Sequence, residues 1–105
     1  MNLLAPAPVE DAAPVNILIV DDVPQNLVAM EALLRRDGLR ILCAASGNEA
    51  LELLLEHEVA LALLDVQMPE MDGFALAELM RGSARSRDVP IIFLTASPQD
   101  PVRAF

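Results

Sequence analysis

Four short, nearly unbroken apolar runs punctuate the chain, at residues 15–20 (VNILIV), 39–45 (LRILCAA), 59–64 (VALALL) and 90–95 (PIIFLT). Runs of that length, bounded by polar residues, Gly or Pro, predict strands buried on both faces. Between them the apolar residues recur at helical spacing. The first helix is predicted to start at Asp22-Val-Pro24, with Pro in the first turn where its missing amide costs nothing. Leu27, Met30 and Leu34, with Val28 and Leu33 beside them, form its expected buried stripe. Arg35 and Arg36 fall in its predicted last turn, and Gly38 is placed to cap it in the left-handed conformation. Ser46 and Glu49 then read as a capping box for a second helix running to about residue 57. That helix is expected to bury Ala50, Leu51, Leu54 and Leu55 and to turn Glu49, Glu52, Glu56 and Glu58 to solvent. Asp72 and Gly73 open a third helix that continues through Arg81 and closes at Gly82, and residues 83–88 form a polar, Arg-rich connection.

The order β-α-β-α-β-α-β predicts an α/β fold: a parallel sheet with right-handed crossovers and helices on both faces. Residues 1–14, rich in Ala and Pro and without periodicity, read as a flexible leader, and residues 15–105 as one domain. After Thr95 the chain offers a cap at Asp100 and Pro101 at a first helical position, then stops about one turn later. A single turn does not make a stable helix, so the sequence reads as ending inside an element.

Composition narrows the function classes. Seven basic residues, all Arg, stand against sixteen acidic ones, for a net charge of −9 over 105 residues. That balance argues against nucleic acid or an anionic membrane surface as a direct partner and favours cations or a basic protein face. The absence of Lys excludes a P-loop. The single Cys43, inside an apolar run, excludes an internal disulfide framework and reads as a small buried hydrophobe in a reducing compartment. No apolar stretch approaches a membrane span and no signal peptide is evident, so a cytoplasmic location is expected. His57, the only histidine, has no second His or Cys with which to share a metal and reads as a surface or helix-end residue.

The chemistry lies where two of the strands end. The first apolar run ends in Asp21 and Asp22, and the third delivers Asp65 to a loop punctuated by Pro69 and Gly73. In a parallel sheet, ligands bind beyond the carboxyl ends of the strands, so the three acids converge on one crevice. Unit charges about 5 Å apart repel by about 3 kcal/mol at an effective dielectric of 20, so a cation is expected among them. Oxygen ligands suit Mg²⁺ or Mn²⁺, which keep open positions for phosphate oxygens. An aspartate beside such an ion is also a competent nucleophile for a phosphoryl group. Asp65, on its own loop, is the better candidate, and the Thr95 hydroxyl ends a neighbouring strand at the same edge, with small Ala96 beside it. Taken singly, each acid is more often a turn or cap residue, and Met68 and Met71 are ordinary packing. The combination carries the functional reading.

Three segments, ILIVDD at 17–22, LLDVQMPEMDG at 63–73 and PIIFLTA at 90–96, resemble the response-regulator receiver domain of two-component systems. The resemblance spans about residues 15–105. It implies a flavodoxin-like, doubly wound sheet of order 2-1-3-4-5. By the same resemblance Asp65 is the phosphoacceptor, and Asp21 and Asp22 are metal-binding acids. Asp22, Asp65 and the Gln67 backbone carbonyl are implied as direct ligands of Mg²⁺ or Mn²⁺. Thr95 is implied to move to the phosphoryl group, and the Gln67 side chain to tune phosphoryl lifetime. The implied partners are a sensor histidine kinase or phosphotransfer protein, with small acyl phosphates as alternative donors, and the domain supplies the chemistry of its own modification. Receivers also carry a fifth strand ending in a Lys, an aromatic switch residue and a last helix, none of which occurs here. The chain therefore reads as a receiver incomplete at its C-terminal end. The edge of its fourth strand would then template self-association. The alternative reading is an interaction or dimerisation module incompetent for phosphorylation. A metal-dependent phosphatase is disfavoured, because such hydrolases usually place a second Asp where this chain has Gln67.

Overall fold

The structure, a computed structural model, describes residues 13–94. Seven elements follow one another: β1 (Val15–Val20), α1 (Pro24–Leu34), β2 (Leu39–Ala44), α2 (Gly47–Glu56), β3 (Leu61–Asp65), α3 (Gly73–Arg81) and β4 (Ile91–Leu94). The four strands form one sheet in the order β2-β1-β3-β4. Every pairing in it is parallel. This is the order the flavodoxin-like reading requires of its first four strands.

β1 lies between β2 and β3, which is why it reads as a continuous apolar run: Leu18, Ile19 and Val20 are fully buried whichever way they point. Alternation sends Leu18, Val20, Ala62 and Leu64 to one face, where they pack with Ala50 and Leu54 of α2 and Leu76 and Met80 of α3. Ile17, Ile19 and Leu63 point to the other face, where α1 leans across β1 and β2. Register then fixes the crevice. Val20 is paired with Ala44 on one side and with Leu64 on the other. The next residues, Asp21 and Asp65, therefore leave the sheet side by side.

The elements agree with the pattern-based expectation, and the differences are instructive. β3 begins at Leu61 rather than at residue 59, because Val59 and Ala60 precede the first paired residue, where Leu61 meets Ile17. Pro90 has no N–H for the ladder, so β4 starts at Ile91 while the Pro90 carbonyl accepts from Ala62 N at 3.0 Å. Thr95, Ala96 and the cap at Asp100 lie outside the described residues, as does the leader up to residue 12.

α1 departs furthest from expectation. Leu27, Met30 and Leu34 are half-buried as a stripe, but Val28 and Leu33 are 67% and 75% exposed. These two sit on opposite flanks of the stripe, and nothing among the described residues covers those flanks. The helix also ends at Leu34, because Arg35 adopts an extended backbone, so neither Arg35 nor Arg36 lies in its last turn. Gly38 is left-handed as expected (φ 87°), yet it serves the turn into β2 rather than the helix end. Its carbonyl accepts from Val15 N at 2.9 Å, and Leu39 N closes the turn on Arg36 O at 3.2 Å. The other helix ends follow the sequence more closely. Ser46 Oγ accepts from Glu49 N at 3.1 Å, while the Glu49 carboxylate reaches Ala45 N, one residue before the cap. Of the expected buried face of α2, Leu55 is instead exposed.

The connection after α3 is held in place. Arg81 donates to the carbonyls of Arg87 and Val89, Arg85 to that of Leu54, and the buried Ser86 hydroxyl to that of Met80. His57 caps the end of α2 and shares a hydrogen bond with the Arg40 guanidinium through Nδ1, at 3.1 Å. Cys43 is half-buried, and burial, with Glu31 as a lesser cause, pushes its thiol above the ordinary range.

Candidate metal centre

Asp21, Asp22 and Asp65 each offer a carboxylate oxygen, and these atoms all lie within 4.8 Å of one another. The convergence has a local cause on each strand. Asp21 is the residue after β1, and its N–H continues the ladder by donating to Ala44 O at 3.0 Å. One carboxylate oxygen, Oδ1, accepts from Val23 N at 2.9 Å, and the other, Oδ2, from the Asn26 side-chain amide at 3.1 Å. Asp21 thus serves the entry to α1, whose cap residue Val23 has no side-chain oxygen to offer. Asp65 is the last residue of β3, and its Oδ1 accepts from Gln67 N at 3.2 Å.

The electrostatics fit an unmet positive charge. The Asp65 carboxyl is pushed up to about 6, chiefly by burial. The Gln67 N–H pulls it down, whereas the charges of Asp21 and Asp22 and a hydrogen bond with the Asp22 carboxyl raise it further. Asp65 is only 9% exposed and Asp21 7%. Buried, clustered and all oxygen, the set suits a hard divalent cation, which would offset the mutual repulsion of the acids.

Two glycines shape the crevice, and the pattern of apolar residues identifies neither contact. A methyl group at Gly73 would collide with the backbone carbonyl oxygen of Asp65, so the start of α3 lies directly against the end of β3. Gly73 N donates to Val66 O at 3.1 Å. At Gly47 a methyl would meet the Met71 side chain, with Met71 Cβ 3.2 Å away. The loop between these anchors contains Glu70 at φ 70°, a left-handed backbone in a residue that has a Cβ. Asn26 also escapes a reading of the sequence, for its signal there is only a polar residue in the first turn of a helix. Of the residues expected at the site, Asp21, Asp22 and Asp65 meet, Gln67 contributes its N–H to Asp65, and Thr95 lies outside the described residues.

A parallel sheet with acids at the ends of β1 and β3 has close counterparts among known proteins, and these give the class. The family model described as the response regulator receiver domain matches residues 17–105, and the chain belongs to that family. It is 37% identical, over its whole length, to a probable cyclic di-GMP phosphodiesterase of Vibrio cholerae, of which it covers 24%. Over 81% of its length it is 36% identical to response regulator Rre1 of Synechocystis sp., of which it covers 37%. The chain therefore spans well under half of either relative. Among solved structures, the N-terminal domain of a response regulator receiver protein from Methanoculleus marisnigri superposes with a TM-score of 0.73 at 36% identity, over 84% of this chain and 74% of that one. The response regulator TrrA of Thermotoga maritima, in complex with Mg²⁺ and BeF, superposes with a TM-score of 0.72 at 32% identity, over 84% of this chain and 75% of that one.

Proposed function

We propose that this chain is a phosphoacceptor receiver of a two-component phosphorelay, modified on Asp65 with Mg²⁺ bound by Asp22, Asp65 and the Gln67 carbonyl, and with Asp21 as the supporting acid. The observation that carries the reading is the meeting of three carboxylates at the carboxyl ends of β1 and β3, with Asp65 buried and its acidity suppressed. A bound divalent cation would supply charge compensation between these acids and the incoming phosphoryl oxygens.

The chain's own residues account for the rest. With its carboxyl at about 6, Asp65 is mostly ionised at neutral pH and is a usable nucleophile. The Gln67 N–H holds its Oδ1, orienting the carboxylate. One Asp65 oxygen attacks the phosphorus of a phosphohistidine on a sensor kinase or phosphotransfer protein. The P–N bond breaks, the imidazole nitrogen leaves with the electron pair and is reprotonated, and an acyl phosphate forms. Small acyl phosphates serve as alternative donors. Thr95, next in sequence after the last residue of β4, supplies the hydroxyl that answers the phosphoryl group and shifts the conformational equilibrium read by an output domain or partner. The proposed setting is the cytoplasm; no helix of the described residues is long and apolar enough to cross a membrane.

The test is the intact mass of the chain after treatment with acetyl phosphate, with and without Mg²⁺, beside an Asp65→Asn control. A Mg²⁺-dependent phosphoryl adduct that vanishes in the control is the expected result. No adduct on a chain shown by circular dichroism to be folded would sink the proposal for this chain.

A further inference from the structure

We infer that Asn26 is a positioning residue of the metal centre: with the Val23 N–H it pins both oxygens of Asp21, and so makes the cluster prefer a small octahedral cation over Ca²⁺. The inference rests on the metal reading proposed above. Asn26 Nδ2 donates to Asp21 Oδ2 at 3.1 Å, and Val23 N donates to Asp21 Oδ1 at 2.9 Å. A carboxylate offers about four lone-pair sites, so each Asp21 oxygen keeps one for the ion or its water shell. With both oxygens held from the α1 side, the carboxylate plane is fixed, and turning Asp21 to chelate an ion through the pair would strain or break these two hydrogen bonds.

That restriction separates the two cations. Mg²⁺ demands near-ideal octahedral geometry and keeps several waters, whereas Ca²⁺ takes more ligands, often with a carboxylate bound through both oxygens in a pliable site. A pinned acid therefore suits the first and penalises the second.

The residue type at this position points the same way. Asn26 is the third residue of α1, where a Glu or Gln is usually favoured by the capping box and an acid by the helix dipole. The first turn of α1 carries no acid. An acid at residue 26 would bring a fourth negative charge against Asp21, whereas the amide brings a donor. Asn26 is itself exposed while Asp21 is buried, so the amide acts from the rim and its loss removes no core contact.

The experiment uses the full chain and follows free Mn²⁺ by electron paramagnetic resonance, with Mg²⁺ and Ca²⁺ as competitors. Thermal melts establish that each variant folds. Asn26→Ala is expected to lower the preference for Mg²⁺ over Ca²⁺ about tenfold, and Asn26→Gln, which keeps an amide on a longer arm, to retain most of it. A preference unchanged within about twofold in Asn26→Ala would overturn the inference and leave the metal reading intact. So would a loss in Asn26→Gln as large as in Asn26→Ala, since the amide would not then be the agent. Failure of the unaltered chain to bind Mn²⁺ would overturn the metal reading and this inference together.

Discussion

Asp65 carries two opposed demands, and its energetics follow from them. In its proposed role as a nucleophile it must be ionised, yet burial and two neighbouring acids favour its protonated form and raise it to about 6 from 3.8. In the metal-free protein the folded state therefore binds more protons than the unfolded one between those two values. Its contribution to stability is fully present below pH 4, is lost as pH rises through 6, and is flat above that. Chemical denaturation of the metal-free chain across pH 4–7 should show this fall superimposed on other titrations, and Asp65→Asn should abolish that component. The same substitution is expected to stabilise the metal-free protein at pH 7 by about 1–2 kcal/mol while ending phosphorylation. A tenfold change in acidity corresponds to about 1.4 kcal/mol, and solvent at the mouth of the crevice reduces the full value. A destabilised Asn variant would mean that the carboxylate is compensated by a partner within the fold. Mg²⁺ affinity is expected to rise with pH through the same window, because the ion competes with the proton for Asp65.

Between elements, the junctions matter more than the elements themselves. Gly73 sits against Asp65 O with backbone on both sides, so neither can yield to a methyl group. Gly73→Ala is expected to cost about 2–3 kcal/mol in urea unfolding and to weaken Mg²⁺ binding, since the end of β3 must shift. Gly47→Ala presses on a flexible Met71 side chain, which can turn aside, and is expected to cost clearly less. Reversal of that order would mean that the α2–loop contact, not the α3 junction, holds the crevice. Glu70 is a third junction. Its left-handed backbone suits Gly, so Glu70→Gly is expected to be neutral or stabilising by up to about 1 kcal/mol, against the usual loss for introducing Gly. The strands and helix starts were legible from sequence because they rest on local pattern: apolar runs, the Ser46 cap, the Asp72 carboxylate that accepts from Ala75 N at 2.8 Å. The end of α1 was not legible. Arg35, Arg36 and Gly38 fit a helix terminus by type, but the pairing of Val15 with Leu39 and the Gly38 carbonyl bonded to Val15 N place them in the turn into the sheet.

Across the sheet, β4 is paired on one side only among the described residues, and Ile92 is 46% exposed. An apolar strand edge is a template for another chain. Self-association of this chain is accordingly expected, read by sedimentation velocity as a concentration-dependent shift and reduced by Ile92→Lys, which places a charge beside the edge. A monomer at every concentration would show that the edge is covered.

The element order, the parallel α/β class and the placing of acids at the carboxyl ends of β1 and β3 follow from the amino-acid sequence alone, because they depend on periodicity and residue type along a short stretch. The resemblance carried by its motifs then placed the family. Which groups touch was settled only when the chain folded. Strand register sets Asp21 beside Asp65, the burial this produces raises the Asp65 carboxyl, and the fold brings Gly73 against its carbonyl. The hold of Asn26 on Asp21 is local in sequence, but it takes the turn from β1 into α1 to aim the amide at the carboxylate. Such contacts depend on distances between segments that no periodicity encodes.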